Sequence, residues 1–200
     1  MNIKMKKVLI CGSSGFIGKN LLNYFSKSKK YSIFAQYNTT KPDFIKDVKF
    51  VKADLTNESS VKNLLKDIDI VFQAAATTSG VHDIVNQPYI HVTDNAIMNS
   101  YIMKYSYLYN VEKFIFFSCS VMYPNLSRKV NEKDFDKNSN IKKEYFGVGW
   151  TKVYIEKMCK FYSNLGETKF LVIRHSNIFG PFDKFDLKKS HVIGATIAKV

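Results

Sequence analysis

Lys7-Val8-Leu9-Ile10-Cys11-Gly12-Ser13-Ser14-Gly15-Phe16-Ile17-Gly18 is the stretch that decides the fold. Its first half is an uninterrupted apolar run, as expected of a strand buried on both faces. Past the glycines, Ile17, Leu21, Leu22 and Phe25 recur at i, i+4, i+5 and i+8. That spacing marks an amphipathic helix over residues 16–29. Glycines between a first strand and a first helix let the backbone approach a pyrophosphate. The free N–H groups and positive dipole end of the helix then favour the anion there. A glycine pattern alone is weak, but in this setting it predicts dinucleotide binding by Gly12, Ser14, Gly15, Phe16, Ile17 and Gly18.

Outward from this loop, short apolar runs alternate with helical segments. Strands are expected at residues 32–37, 48–51, 69–74, 113–117 and 169–173, with helices at 57–66, 92–109 and 149–164. Such alternation predicts an α/β fold, a doubly wound parallel sheet of Rossmann type. Asn125 to Lys143 is the one long polar loop, the kind of segment that often serves as a lid. The pattern changes after Arg174, to Gly180-Pro181 and a charged stretch, which divides the chain into a dinucleotide-binding unit (1–176) and the start of a further part (177–200). The last helix, expected from Ser190, reads as cut by the end of the chain.

Composition excludes several classes. The 200 residues are 46% hydrophobic and 14% aromatic, enough for a packed core. Lys+Arg 30 against Asp+Glu 17 gives a net charge of +13, so anionic partners are expected. Only Arg128 and Arg174 are arginines, however, and base-reading proteins rely on the Arg fork. The lysines are spread out, with no basic-aromatic motif, so nucleic acid is not expected as a partner. Cys11, Cys119 and Cys159 form neither a metal-ligand pattern nor a disulfide framework. No apolar run reaches the roughly 7–15 residues of a leader or the roughly 18 of a membrane span. A soluble, cytoplasmic protein is expected.

The end of the second strand bears on which dinucleotide binds. Folds that take NAD place an acid about 20 residues past the glycines, for the ribose 2′-hydroxyl. Here Gln36-Tyr37-Asn38-Thr39-Thr40-Lys41 fills that place, and Asp43 is the first acidic residue of the chain. Asn38, Thr39 and Lys41 would offer donors and positive charge to a 2′-phosphate, which favours NADP over NAD.

Gly12-x-x-Gly15-x-x-Gly18 with this spacing resembles the extended short-chain dehydrogenase/reductase family, the nucleotide-sugar epimerases and dehydratases. Further motifs follow in the family's order. Ala53-Asp54-Leu55 resembles the segment whose Asp contacts adenine, and Ala74-Ala75-Ala76 the small-residue turn against which the cofactor packs. Asn95 stands where the family has an Asn in the next helix. Ser118-Cys119-Ser120-Val121-Met122-Tyr123-Pro124 resembles the Ser-rich end of the fifth strand, and Lys152 falls at the active-site lysine. Arg174-His175-Ser176-Asn177-Ile178-Phe179-Gly180-Pro181 resembles the run that opens the sugar-binding part, which makes Asn177 a substrate-contact candidate. The segment around Ser190-His191 is most like an NADP-dependent epimerase–reductase branch. There the matching His exchanges protons at sugar carbons, which implies that role and substrate contact for His191. The resemblance covers nearly the whole chain. It implies a nucleotide-sugar substrate, hydride transfer to or from nicotinamide, and a homodimer built on the long helix at 92–109.

At the catalytic positions the sequence departs from the family. The family's proton-transferring Tyr lies four residues before the lysine, on the same helix face, and there this chain has Val148. Tyr145 is seven residues before Lys152, about 10.5 Å along a helix, and needs a bend at Gly147 and Gly149 to reach it. Tyr154 and Tyr123 are alternatives without a spacing argument. Counting back from Tyr123-Pro124 puts Cys119 in the family's serine position, with Ser118 and Ser120 beside it. Ser120 is preferred because a hydroxyl is the better donor. Two readings follow: an active nucleotide-sugar epimerase, dehydratase or reductase, or a dinucleotide-binding relative whose proton relay is lost or rearranged.

Overall fold

The computed structural model describes residues 5–78, 86–124, 127–135, 141–183, 192–197 and 199. Six parallel strands form one sheet: β1 (Lys6–Cys11), β2 (Tyr31–Tyr37), β3 (Val48–Lys52), β4 (Ile70–Gln73), β5 (Lys113–Cys119) and β6 (Lys169–His175). Their order is β3-β2-β1-β4-β5-β6. The order reverses direction between β1 and β4, and the crevice outside their carboxyl ends is where such sheets bind ligands.

Val8, Leu9, Ile10 and Cys11 are completely buried because both faces of β1 are covered. Val8 and Ile10 pack with Leu22 of α1 (Phe16–Phe25), Ile33 and Ala35. On the opposite face, Leu9, Cys11, Val71, Phe114 and Phe116 pack against three helices. These are α2 (Glu58–Leu64), α3 (Thr93–Leu108) and α4 (Phe146–Ser163). A short α5 (Val192–Ile197) lies near the end of the chain. Among the described residues, no helix is long and apolar enough to cross a membrane.

Two helices differ from expectation. Helix α1 stops at Phe25 instead of continuing to residue 29, because past Phe25 the chain offers only Lys and Ser, with nothing to bury. Helix α4 begins three residues early, at Phe146, after a 3₁₀ turn over Lys143–Tyr145. Tyr105 of α3 is buried, and its hydroxyl donates to Glu58 Oε1 at 3.0 Å. Tyr101 and Tyr109 pack partly buried against the same core.

Asn57 caps α2 by accepting from the Ser60 N–H at 3.0 Å. Asn57→Ala is therefore expected to lose about 1 kcal/mol of stability. Thermal unfolding should register this as a fall of about 2–4 °C.

Candidate active site

The glycine loop has a backbone that only glycine permits at two points. Gly12 has φ +69°, and a Cβ there would lie 2.6 Å from Ala75 Cα. A Cβ on Gly18 would lie 2.1 Å from Gly12 O. Gly15 is exposed at the N-cap of α1, which has no side-chain cap and no acid in its first turn. The first N–H groups of α1 thus face the crevice without competing negative charge, and the loop fits a pyrophosphate. Ser14, Phe16 and Ile17 are half-buried in the same turn.

The sequence analysis missed what holds this loop. Gln36 is buried at the end of β2. Its Oε1 accepts from the Gly12 N–H at 2.8 Å, and its Nε2 donates to Ala53 O at 2.7 Å. Its backbone carbonyl accepts from the Ser13 N–H at 2.9 Å and the Ser13 hydroxyl at 2.7 Å. An uncharged polar residue ending an apolar strand was the available signal. Asn38, Thr39 and Lys41 follow, all exposed, with the Lys41 ammonium 5.5 Å from the Phe50 ring centroid.

Asp54 is exposed, and its Oδ1 accepts from the Thr56 N–H at 2.8 Å and the Thr56 hydroxyl at 2.7 Å, closing a tight turn after β3. The Leu55 side chain belongs to the core. Ala74, Ala75 and Ala76 leave the end of β4 beside Gly12. Asn95 is buried and holds that segment from α3. It accepts from the Thr77 N–H at 3.1 Å and donates to Thr77 O at 2.8 Å and His91 O at 2.9 Å. With its amide engaged in this way, Asn95 acts on the crevice through the Ala74–Thr77 segment. Asn99 and Gln73 extend the network inward, with Gln73 Nε2 donating to Asn99 Oδ1 at 3.2 Å.

Lys152 comes from α4 to the end of β5. Its Nζ donates to Phe117 O at 3.0 Å and sits 4.6 Å from the Phe116 ring centroid. Burial pushes this ammonium below the usual lysine range, an effect that the charges of Cys119 and Glu156 oppose. The half-buried Cys119 thiol is pushed up by burial, and Lys152 pulls against that rise. Cys11 and Cys159 are core thiols pushed up to about 12 by burial. Ser120 is exposed at the mouth of the crevice. Ser118 is fully buried, and its Oγ has no hydrogen-bond partner among the described residues.

The bend expected at Gly147 and Gly149 is not formed, because α4 runs continuously from Phe146. Those glycines make packing room instead. A Cβ on Gly147 would meet Val92 Cγ2 at 3.0 Å, and one on Gly149 would meet Ile141 at 3.0 Å. Tyr145 is the N-cap residue of α4 and packs with Met122, Ile141 and Val153, near Tyr123 and Trp150. The Tyr154 hydroxyl is 3.1 Å from Ser100 Oγ, and the Tyr123 hydroxyl accepts from Arg174 at 2.9 Å.

Arg174 also grips Glu156, one turn past Lys152, through three contacts of 2.6–3.1 Å. It donates to Glu132 O at 3.2 Å and faces the rings of Tyr123 and Phe135, which ties the polar loop to α4. Asn177 is exposed. Asn20 of α1 donates to Pro181 O at 2.8 Å, bringing the Gly180-Pro181 turn to the glycine loop's helix. His191 lies outside the described residues.

A doubly wound sheet, a glycine turn made for a pyrophosphate and a helix-borne lysine at the end of β5 define a dinucleotide-binding α/β protein. The chain belongs to the NAD dependent epimerase/dehydratase family, whose profile matches residues 8–200. It is similar to the GDP-L-colitose synthase of Yersinia pseudotuberculosis, at 24% identity over 197 residues, 97% of this chain and 60% of that one. The GDP-L-fucose synthase of Azorhizobium caulinodans is 27% identical over 201 residues, 98% of this chain and 60% of that one. The chain thus spans 60% of the length of each of these relatives. The crystal structure of a GDP-D-glycero-L-gluco-heptose synthase from Campylobacter jejuni, in the presence of NADPH, superposes with TM-score 0.84 at 23% identity. It covers 100% of this chain and 56% of that one, a likeness of fold.

Proposed function

We propose that the protein is an NAD(P)-dependent nucleotide-sugar epimerase, dehydratase or reductase that transfers a hydride at a sugar carbon. The observation that carries this reading is the Lys152 ammonium, held on the Phe117 carbonyl at the carboxyl end of β5, where the crevice opens. The family's lysine position is therefore occupied and anchored, although Val148 stands in its tyrosine position. Gly12, Ser14, Gly15, Phe16, Ile17 and Gly18 hold the pyrophosphate, Asp54 and Leu55 the adenine side, and Ala74 to Ala76 with Asn95 the far wall. The acid-free end of β2 at Asn38, Thr39 and Lys41 supports NADP over NAD. A bound nicotinamide supplies or accepts the hydride.

Lys152 binds the nicotinamide ribose and sets the charge around the proton donor. Ser120 polarises the sugar oxygen from the mouth. For the proton, Cys119 is the supported group among the candidates: it lies at the end of β5, two residues past the Phe117 carbonyl that holds Lys152, and burial keeps its thiol protonated. The Tyr123 and Tyr154 hydroxyls are engaged elsewhere, and Tyr145 stands at the N-cap of α4 with its ring against Met122, Ile141 and Val153. Residues 1–176 form the dinucleotide unit, and 177–200 begin the substrate-binding part, with Asn177 and His191 as its candidates for substrate contact. Exposed Ile97, Leu108, Tyr154 and Phe161 on α3 and α4 support a homodimer through these helices, in a cytoplasmic protein.

The test supplies NADPH with keto-sugars linked to GDP, dTDP or UDP and follows reduced-nicotinamide absorbance and product mass. Turnover of one of them is expected, reduced about 100-fold or more in Cys119→Ala and little changed in Tyr145→Phe. The opposite ranking returns the proton to Tyr145. Dinucleotide binding without turnover of any of these sugars would support a relative whose relay is lost.

A further inference from the structure

Gln36 lies near the end of β2, at the start of the stretch Gln36–Lys41 that follows the glycine loop by about 20 residues. Here the side chain turns inward and is buried. One end accepts from the Gly12 N–H at 2.8 Å, and the other donates to Ala53 O at 2.7 Å. The Gln36 carbonyl takes both the N–H and the hydroxyl of Ser13. Residues 12 and 13 are thereby fastened to β2, and through Ala53 to the end of β3, at the point where Gly12 turns with φ +69°.

Side-chain chemistry restricts what this position can hold. A carboxamide accepts at one end and donates at the other, which is what Gly12 and Ala53 present. An ionised carboxylate would satisfy Gly12 but set a second acceptor against Ala53 O, and burial would drive it to take up a proton. An apolar side chain would leave both backbone groups unpaired.

We propose that Gln36 is a positioning residue for the phosphate loop: its carboxamide fixes Gly12 and Ser13 before the dinucleotide arrives, so that the pyrophosphate meets a preformed backbone. Preformed loops gain affinity because ordering is not left to the binding step. The inference rests on the dinucleotide reading above.

The test compares wild type, Gln36→Glu and Gln36→Met in two measurements: NADP⁺ affinity by calorimetry, and hydrogen exchange of the loop amides without ligand. In Gln36→Glu a protonated carboxyl reproduces the donor–acceptor pattern. Its affinity should stay within about twofold of wild type near about pH 5.5 and fall about tenfold or more below it near about pH 8.5. Gln36→Met should be weakened about tenfold at both. Gly12 amide exchange should be slow in wild type and quicken in the same pattern. A role limited to packing would lower the unfolding temperature and leave the affinity ratio independent of pH. Wild-type affinity in both variants at both pH values, or a Gly12 amide that exchanges freely in the wild type, would overturn the proposal. If wild type binds no NADP⁺, the dinucleotide reading fails, and the exchange pattern alone decides the role of Gln36.

Discussion

Gly18→Ala is expected to abolish dinucleotide binding and destabilise the fold together. The added Cβ would lie 2.1 Å from Gly12 O, 2.8 Å from Gly12 C and 2.8 Å from Ser13 Cα. All three are backbone atoms, so no side chain can rotate away to relieve the overlap. Either α1 or the loop must move, at about 3 kcal/mol, the upper end for overpacking. In a chain of 200 residues that is a fall of about 10 °C in unfolding temperature. Calorimetry with NADPH should show affinity reduced about 100-fold or more, because the moved backbone is the binding surface. Wild-type stability and affinity in this variant would mean that the glycine turn is not shaped as described.

The second large effect is expected from Arg174→Met. The Glu156 side chain is only 11% exposed and that of Arg174 21%, so removing the guanidinium leaves a carboxylate buried and unpaired. Breaking such a pair from one side costs about 3–5 kcal/mol. Replacing both partners, as in Arg174→Met with Glu156→Gln, should recover much of the loss, since no stranded charge remains. Chemical denaturation of the two single variants and the double variant measures the coupling. Because Glu156 lies one turn past Lys152, the single variants should also lose turnover. Equal stability of Arg174→Met and wild type would remove Arg174 as the clamp between α4 and the polar loop.

The glycine loop was legible because its meaning is local: a strand, a turn and a helix in one short stretch. Alternation alone was enough for a doubly wound parallel sheet, but not for the order of its strands, because which strands become neighbours is settled only in the folded chain. Gln36 was not legible, since its two partners come from neighbouring strands and adjacency in a sheet is a long-range property. The same reason hid Gly147 and Gly149. The sequence read them as a hinge for Tyr145, whereas they make room for Val92 and Ile141, residues that only the folded chain brings to α4. Asn95 was placed correctly on α3, but its partners Thr77 and His91 show that it works on the loop after β4. The helix that carries Lys152 was expected, yet it starts early, at Phe146, after a 3₁₀ turn, with Tyr145 and Gly149 seated against Ile141, contacts that periodicity does not report.

The central claim, that the glycine loop and the acid-free end of β2 bind a phosphorylated nicotinamide dinucleotide, is tested most directly through Trp150. This single tryptophan lies on α4 two residues from Lys152, so a reduced nicotinamide bound in the crevice should quench its emission. Titration with NADPH and NADH in parallel should give saturable quenching, with NADPH tighter by about tenfold or more, about 1.4 kcal/mol. Tighter binding of NADH would contradict the assignment of Asn38, Thr39 and Lys41 to a 2′-phosphate. No saturable response to either nucleotide, by emission or by calorimetry, would contradict the claim itself.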